Sequence, residues 1–154
     1  MVTSLPGTPG GARHSDDTDA YHLFLKDRHF RYTKFDLKNA LHCFEQAVER
    51  DHSCALARIA VAETLTVLVI YRVIPPPSGQ ARAREQLRTA RELGGETAQG
   101  LGVEAFLAYV YDWDPRAALA AYERSLELDP TSSSTRAWYT WALLATGRVA
   151  EALE

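Results

Sequence analysis

After Asp19 the apolar residues fall at spacings of three and four almost throughout the chain. Leu37, Ala40, Leu41, Phe44, Ala47 and Val48 share one face of a predicted helix, and Ala118, Leu119, Tyr122, Ser125 and Leu126 repeat that arrangement. No stretch shows the period of two that a half-buried strand requires, so the pattern predicts an all-α chain. The breaks between helices have chemical causes. Asp36 is placed to cap a helix starting at Leu37, because its carboxylate accepts from unpaired backbone N–H groups. Pro75-Pro76-Pro77 stops one helix, and Ser78 is read as the cap of the next. Asp114-Pro115 joins a cap to a first-turn proline, where the missing N–H costs nothing. Gly94-Gly95, Asp129-Pro130 and Gly147 mark further turns. Two helices and a short connection alternate, which predicts αα-hairpins.

The hairpins repeat. A small residue, a large apolar residue four later and a small residue three beyond that occur at Ala40-Phe44-Ala47, Ala83-Leu87-Ala90 and Ala118-Tyr122-Ser125, and the motif begins again at Ala152. The intervals between first positions are 43, 35 and 34 residues, and the nine extra residues of the longest coincide with an insertion around Tyr71 to Ser78. A helix–turn–helix of 34 residues whose second helix carries small–large–small is the signature of the tetratricopeptide repeat. The preceding helices agree more loosely, through Arg58-x-x-Val61-Ala62-x-x-Leu65 and Arg136-x-x-Tyr139-Thr140-x-x-Leu143.

On these residues the chain resembles a tetratricopeptide repeat (TPR) protein from about Asp19 to Glu154, and Tyr122 to Pro130 is close to the family's usual repeat ending. Asp112-Trp113-Asp114 and the Tyr21-to-Phe30 opening resemble, more narrowly, repeat regions C-terminal in bacterial winged-helix regulators, nucleotide cyclases and protein kinases. The resemblance implies a right-handed superhelical array of antiparallel helix–turn–helix units, about three and a half repeats in all. Residues 1–18, rich in Gly, Pro, Ser and Asp, are expected to be a flexible leader before a repeat domain at 19–154. Its approximate units are 19–52, 53–95, 96–130 and an incomplete 131–154. His52 and Gly95 stand where the first two repeats would usually end in proline, and Lys26-Asp27 replaces an aliphatic–glycine pair, so the first repeat is expected to be distorted.

In stacked hairpins the first helices line a concave surface. The resemblance maps groove positions onto Leu56, Ile59, Glu63 and Thr66 in the second unit, and onto Val103, Leu107 and Val110 in the third. In the fourth it maps them onto Ser134, Ala137, Trp141 and Leu144. This lining is chiefly apolar and lacks the lysine and asparagine of the carboxylate-clamp subclass, so it implies an apolar peptide or helix as partner. Of two tryptophans three residues apart, Trp138 suits core packing and Trp141 the groove, where an indole anchors a partner. The Trp138-to-Leu144 helix has no polar cap after it, which predicts exposed apolar surface and either self-association or further sequence.

Composition narrows the function classes. The 154 residues are 46% hydrophobic and 24% charged, as in a globular domain, with net charge −3. That charge argues against direct nucleic-acid binding. Met1 to Ala20 is polar, unlike a secretory signal, and the apolar run Thr64 to Tyr71 is too short to cross a bilayer, so a cytoplasmic protein without membrane contact is expected. Cys43 and Cys54 have no metal spacing and read as reduced thiols. Gly100-x-Gly102-x-x-Ala105 matches a dinucleotide fingerprint in letters, but no strand precedes it and no cofactor is expected. His22, His29 and the other histidines lack further ligands at metal spacing, while Asp114 reads as a cap and Asp112 as a loop residue. The sequence therefore predicts no enzyme, metal or cofactor. It predicts a protein-interaction scaffold; the alternative is a regulatory or sensory repeat segment of a larger signalling or transcriptional regulator.

Overall fold

The computed structural model describes residues 37–153. The expected leader, the Tyr21-to-Phe30 opening, His22, His29 and the Asp36 cap lie outside the described residues. The described residues form seven helices and no strand. These are α1 (Leu37–Arg50), α2 (Ala55–Ile70), α3 (Pro76–Gly94), α4 (Ala98–Val110), α5 (Pro115–Leu128), α6 (Ser133–Ala145) and the short α7 (Val149–Ala152). Consecutive helices pack as antiparallel neighbours, and α2, α4 and α6 also touch side by side. That row of three helices positions the candidate site.

The small–large–small positions carry the packing. Ala40, Phe44 and Ala47 of α1, Ala83, Leu87 and Ala90 of α3, and Ala118, Tyr122 and Ser125 of α5 are all buried. Alanine lets the backbones approach, and the large side chain fills the space between them. The apolar residues fall into two main clusters. The first joins α1, α2 and α3 to Val103 and Leu107 of α4. The second joins Ala105 of the same α4 to Leu119 and Tyr122 of α5 and Leu143 of α6. Helix α4 is thus the element common to both.

Several helix ends follow the expected chemistry. The Asp114 carboxylate accepts from the Ala117 N–H at 3.0 Å, with Pro115 in the first turn of α5. Gly95 and Gly147 adopt φ of 76° and 81° just beyond α3 and α6, values that glycine reaches without steric penalty. One expectation needs correction. Ser78 is not the cap of α3: the helix already begins at Pro76, with Pro75 at the cap position, and the Ser78 hydroxyl donates back to the Pro75 carbonyl. Pro76 and Pro77 occupy the first turn, where no backbone donor is required.

The insertion is absorbed mainly as helix. α2 and α3 are 16 and 19 residues long, against 13 and 14 for α4 and α5. Aligned on the repeat motif, the additional residues sit at the end of α2 and the start of α3. Gly79 lies there, where a Cβ would stand 2.2 Å from Cγ2 of Val69, so only glycine permits this close crossing.

Candidate functional site

The inner row forms a depression between α2, α4 and α6, enclosing about 560 Å³ open to solvent. From α2 it receives Glu63, Thr66, Val67 and Ile70, and from α4 Gln99, Gly102, Val103 and Phe106. Ser132, at the cap of α6, and Ser134, Thr135 and Trp138 on that helix complete the lining. Residues 99, 102, 103 and 106 recur at helical spacing, so a single face of α4 forms the floor.

Trp138 stands on edge against Phe106, with ring centroids 4.5 Å apart and planes at 78°, a favourable aromatic geometry. It nevertheless remains 45% exposed, so part of the indole is available to a partner. On the far side, a Glu63 carboxylate oxygen accepts from the Gln99 side-chain amide at 3.2 Å. Most hydroxyls of the lining are committed to the protein itself. Thr66 donates to the Ala62 carbonyl at 2.8 Å. Ser132 donates to the Thr135 hydroxyl at 2.9 Å, Thr135 lies 3.3 Å from the Ser125 hydroxyl, and Ser125 donates to the Ala98 carbonyl at 2.6 Å. With Ser125 donating onward, Thr135 is the donor in the middle bond, so the relay runs in one direction from α6 through α5 to the start of α4. Gly102 leaves room for it, since a Cβ there would come within 3.0 Å of the Thr135 hydroxyl.

The residues mapped onto the groove from sequence divide into four groups. Glu63, Thr66, Val103 and Ser134 come together in the depression. Ala137, Trp141 and Leu144 are exposed outside its lining, Trp141 by 66%. Val110 is half-buried at the end of α4, outside the lining, and Leu56 packs half-buried against the core. Ile59 and Leu107 are core residues, 2% and 0% exposed. They belong to helices buried on nearly every side, where apolar spacing does not distinguish groove from core. Trp138, read from sequence as a packing residue, lines the groove; its spacing from Ser134 on α6 was the signal available.

A second cleft lies on the other side of α4, between α3 and α5, with Arg84, Arg91 and Glu104 at its walls. Arg84 pairs with Asp112 at 2.7 Å, and Arg91 pairs with Glu104 at 2.6 Å. Burial raises the Glu104 carboxyl above the ordinary glutamate range, and the Arg91 charge opposes that rise. No disulfide joins Cys43 to Cys54. Gly100 and Gly102 lie within α4, with a helix rather than a strand upstream, so the arrangement that holds a dinucleotide phosphate is not formed there. Among the described residues, no helix is long and apolar enough to cross a membrane.

No protein-family model matches the chain. Among curated proteins, it is 24% identical over 138 residues to the transcriptional regulator HilA of Salmonella typhimurium, with the same figures for HilA of Salmonella typhi and Salmonella paratyphi A. These matches cover 88% of the chain, which spans about a quarter (25%) of the length of those relatives. Among solved structures, it resembles YrrB, described as a TPR protein with an unusual peptide-binding site. The TM-score is 0.57 at 22% identity, covering 88% of this chain and 64% of that one. The helical hairpins, the repeat motif in their packed positions and this structural likeness agree: the chain has the tetratricopeptide-repeat fold.

Proposed function

We propose that this chain is a non-catalytic interaction scaffold that takes a peptide or helix of a partner protein into the depression between α2, α4 and α6. The observation that carries the reading is the half-exposed Trp138, held edge-on by Phe106 over an otherwise largely apolar floor. A pre-positioned aromatic side chain anchors a partner at low entropic cost. Trp141, one turn further along α6, and Leu144 extend apolar surface beyond the depression. The likeness to YrrB, which is described as having an unusual peptide-binding site, is consistent with this use of the fold. At 24% identity over a quarter of its length, the HilA match does not favour the alternative of a regulatory segment. Trp138→Ala is expected to weaken partner binding at least ~10-fold, as for an interface anchor, with a smaller effect on the melting temperature. Unchanged affinity in a calorimetric titration would remove the groove from the account.

The same reading includes self-association at the end of α6. Trp141, Leu144, Val149 and Leu153 are 66%, 44%, 50% and 82% exposed, an apolar surface of the kind that marks contact sites. Light scattering is expected to show mass rising with concentration, and Trp141→Glu is expected to abolish the rise. A concentration-independent monomer contradicts this part of the proposal.

A further inference from the structure

One buried position departs from the repeat motif in a way that packing does not require. The last small residue of the motif is Ala47 in α1 and Ala90 in α3 but Ser125 in α5, and all three are buried. Alanine suffices there for close helix approach, so the Ser125 hydroxyl adds something other than volume. It donates to the Ala98 carbonyl at the start of α4 at 2.6 Å and meets the Thr135 hydroxyl of α6 at 3.3 Å. Thr135 is itself an exception. Thr64, Thr66, Thr89 and Thr140 each donate to the carbonyl four residues back, the ordinary habit of a helical threonine. Thr135 instead reaches across to another helix. On the α4 side Gly102 completes the seam, since a Cβ there would stand 3.0 Å from the Thr135 hydroxyl and 3.7 Å from that of Ser125.

This seam lies one turn before the aromatic pair of the groove. Phe106 follows Gly102 by four residues on α4, and Trp138 follows Thr135 by three on α6, so each shares a helix face with its seam residue. Gly102 against Thr135 and Phe106 against Trp138 are successive rungs between the same two helices. A rung closed by buried hydroxyls and bare backbone tolerates little change in the separation or roll of α6, because the hydroxyls would lose their partners. Resting on the peptide-groove reading above, we infer that Ser125 and Thr135 are positioning residues for the binding anchor. Their hydroxyls hold α6 at the distance from α4 at which Trp138 stands edge-on to Phe106.

The test reads Trp138 directly and needs no ligand, so it succeeds or fails separately from peptide capture. In the full chain labelled with 5-fluorotryptophan, fluorine NMR gives a resonance for each of Trp113, Trp138 and Trp141, assigned with single Trp→Phe variants. Phe106→Leu marks where the Trp138 resonance goes when the ring contact is lost. Ser125→Ala restores the alanine of the other units, and Thr135→Val keeps the side-chain shape without the hydroxyl. Both are expected to move the Trp138 resonance toward the Phe106→Leu position. Thr135→Ser, which keeps the hydroxyl, is expected to leave it at the wild-type value. Gly102→Ala is expected to move it in the same direction while raising helix propensity, which separates a displaced α6 from a general loss of stability. The exposed Trp113 is expected to stay in place throughout. A Trp138 resonance that keeps its wild-type value in Ser125→Ala and Thr135→Val overturns the positioning role. So does an equal movement in Leu143→Ala, a core substitution elsewhere on α6. Either result leaves the groove standing, whereas the titration of Trp138→Ala tests the groove itself.

Discussion

Tyr122 shows most plainly how a repeat position can be filled imperfectly. It is the large residue of its motif and is 1% exposed, yet its hydroxyl has no hydrogen-bond partner. Phe44 and Leu87 occupy the matching sites in the other units without a polar atom. A buried hydroxyl without a partner costs roughly 1–3 kcal/mol of desolvation, so Tyr122→Phe is expected to gain about 1 kcal/mol in urea unfolding. A loss of similar size would show that the hydroxyl is bonded in solution. The motif was legible in the sequence at this scale because small and large side chains have different volumes. The groove residues were less legible. Ile59 and Leu107 share the apolar character of Val103, and only the packing of neighbouring helices decides which of them face the depression.

At the scale of elements, the turns were readable where a side chain does the capping, as at Asp114. They were misread at Pro75-Pro76-Pro77, because prolines that cannot continue a helix are well suited to begin one. The caps at Thr97 and Ser132, which accept from Gly100 and Thr135, carry the same chemistry as Asp114. They were hidden in polar runs with several candidate caps. Contacts between elements also set the response to pH. Glu104 links α4 to Arg91 of α3, and its carboxyl is raised by burial. The native state therefore holds that proton more tightly than the unfolded chain does. The resulting stabilisation is complete below the ordinary glutamate value and is lost as pH rises through the raised one. Glu104→Gln is expected to flatten this fall in the urea midpoint as pH rises above the ordinary glutamate value. The exposed acids whose values are lowered, Glu85, Asp129 and Glu151, act in the opposite direction and are the same in both proteins. An unchanged difference between variant and wild type across that rise in pH would exclude Glu104 as the source.

For the whole molecule, the two apolar clusters meet in α4. Stability in a repeat array is approximately a sum of units and nearest-neighbour interfaces, so damage to a shared helix reaches both sides. Leu107→Ala is expected to cost about 2–5 kcal/mol and to speed amide exchange in α2 and α3 as well as in α5 and α6. Loss of protection confined to one side would show that the clusters open separately.

The longer hairpin of α2 and α3 has a directional consequence. Three or four additional residues on each helix raise its tip by roughly 5 Å, one helical turn, above the neighbouring tip. Val69 and Gly79 lock this parapet in place, and Ile70, the last residue of α2, borders the depression. A chain lying across α2, α4 and α6 thus meets a tall rim on one flank and the low shoulder of α6 on the other. On the proposed use of the groove, the two ends of a bound segment would meet walls of different height.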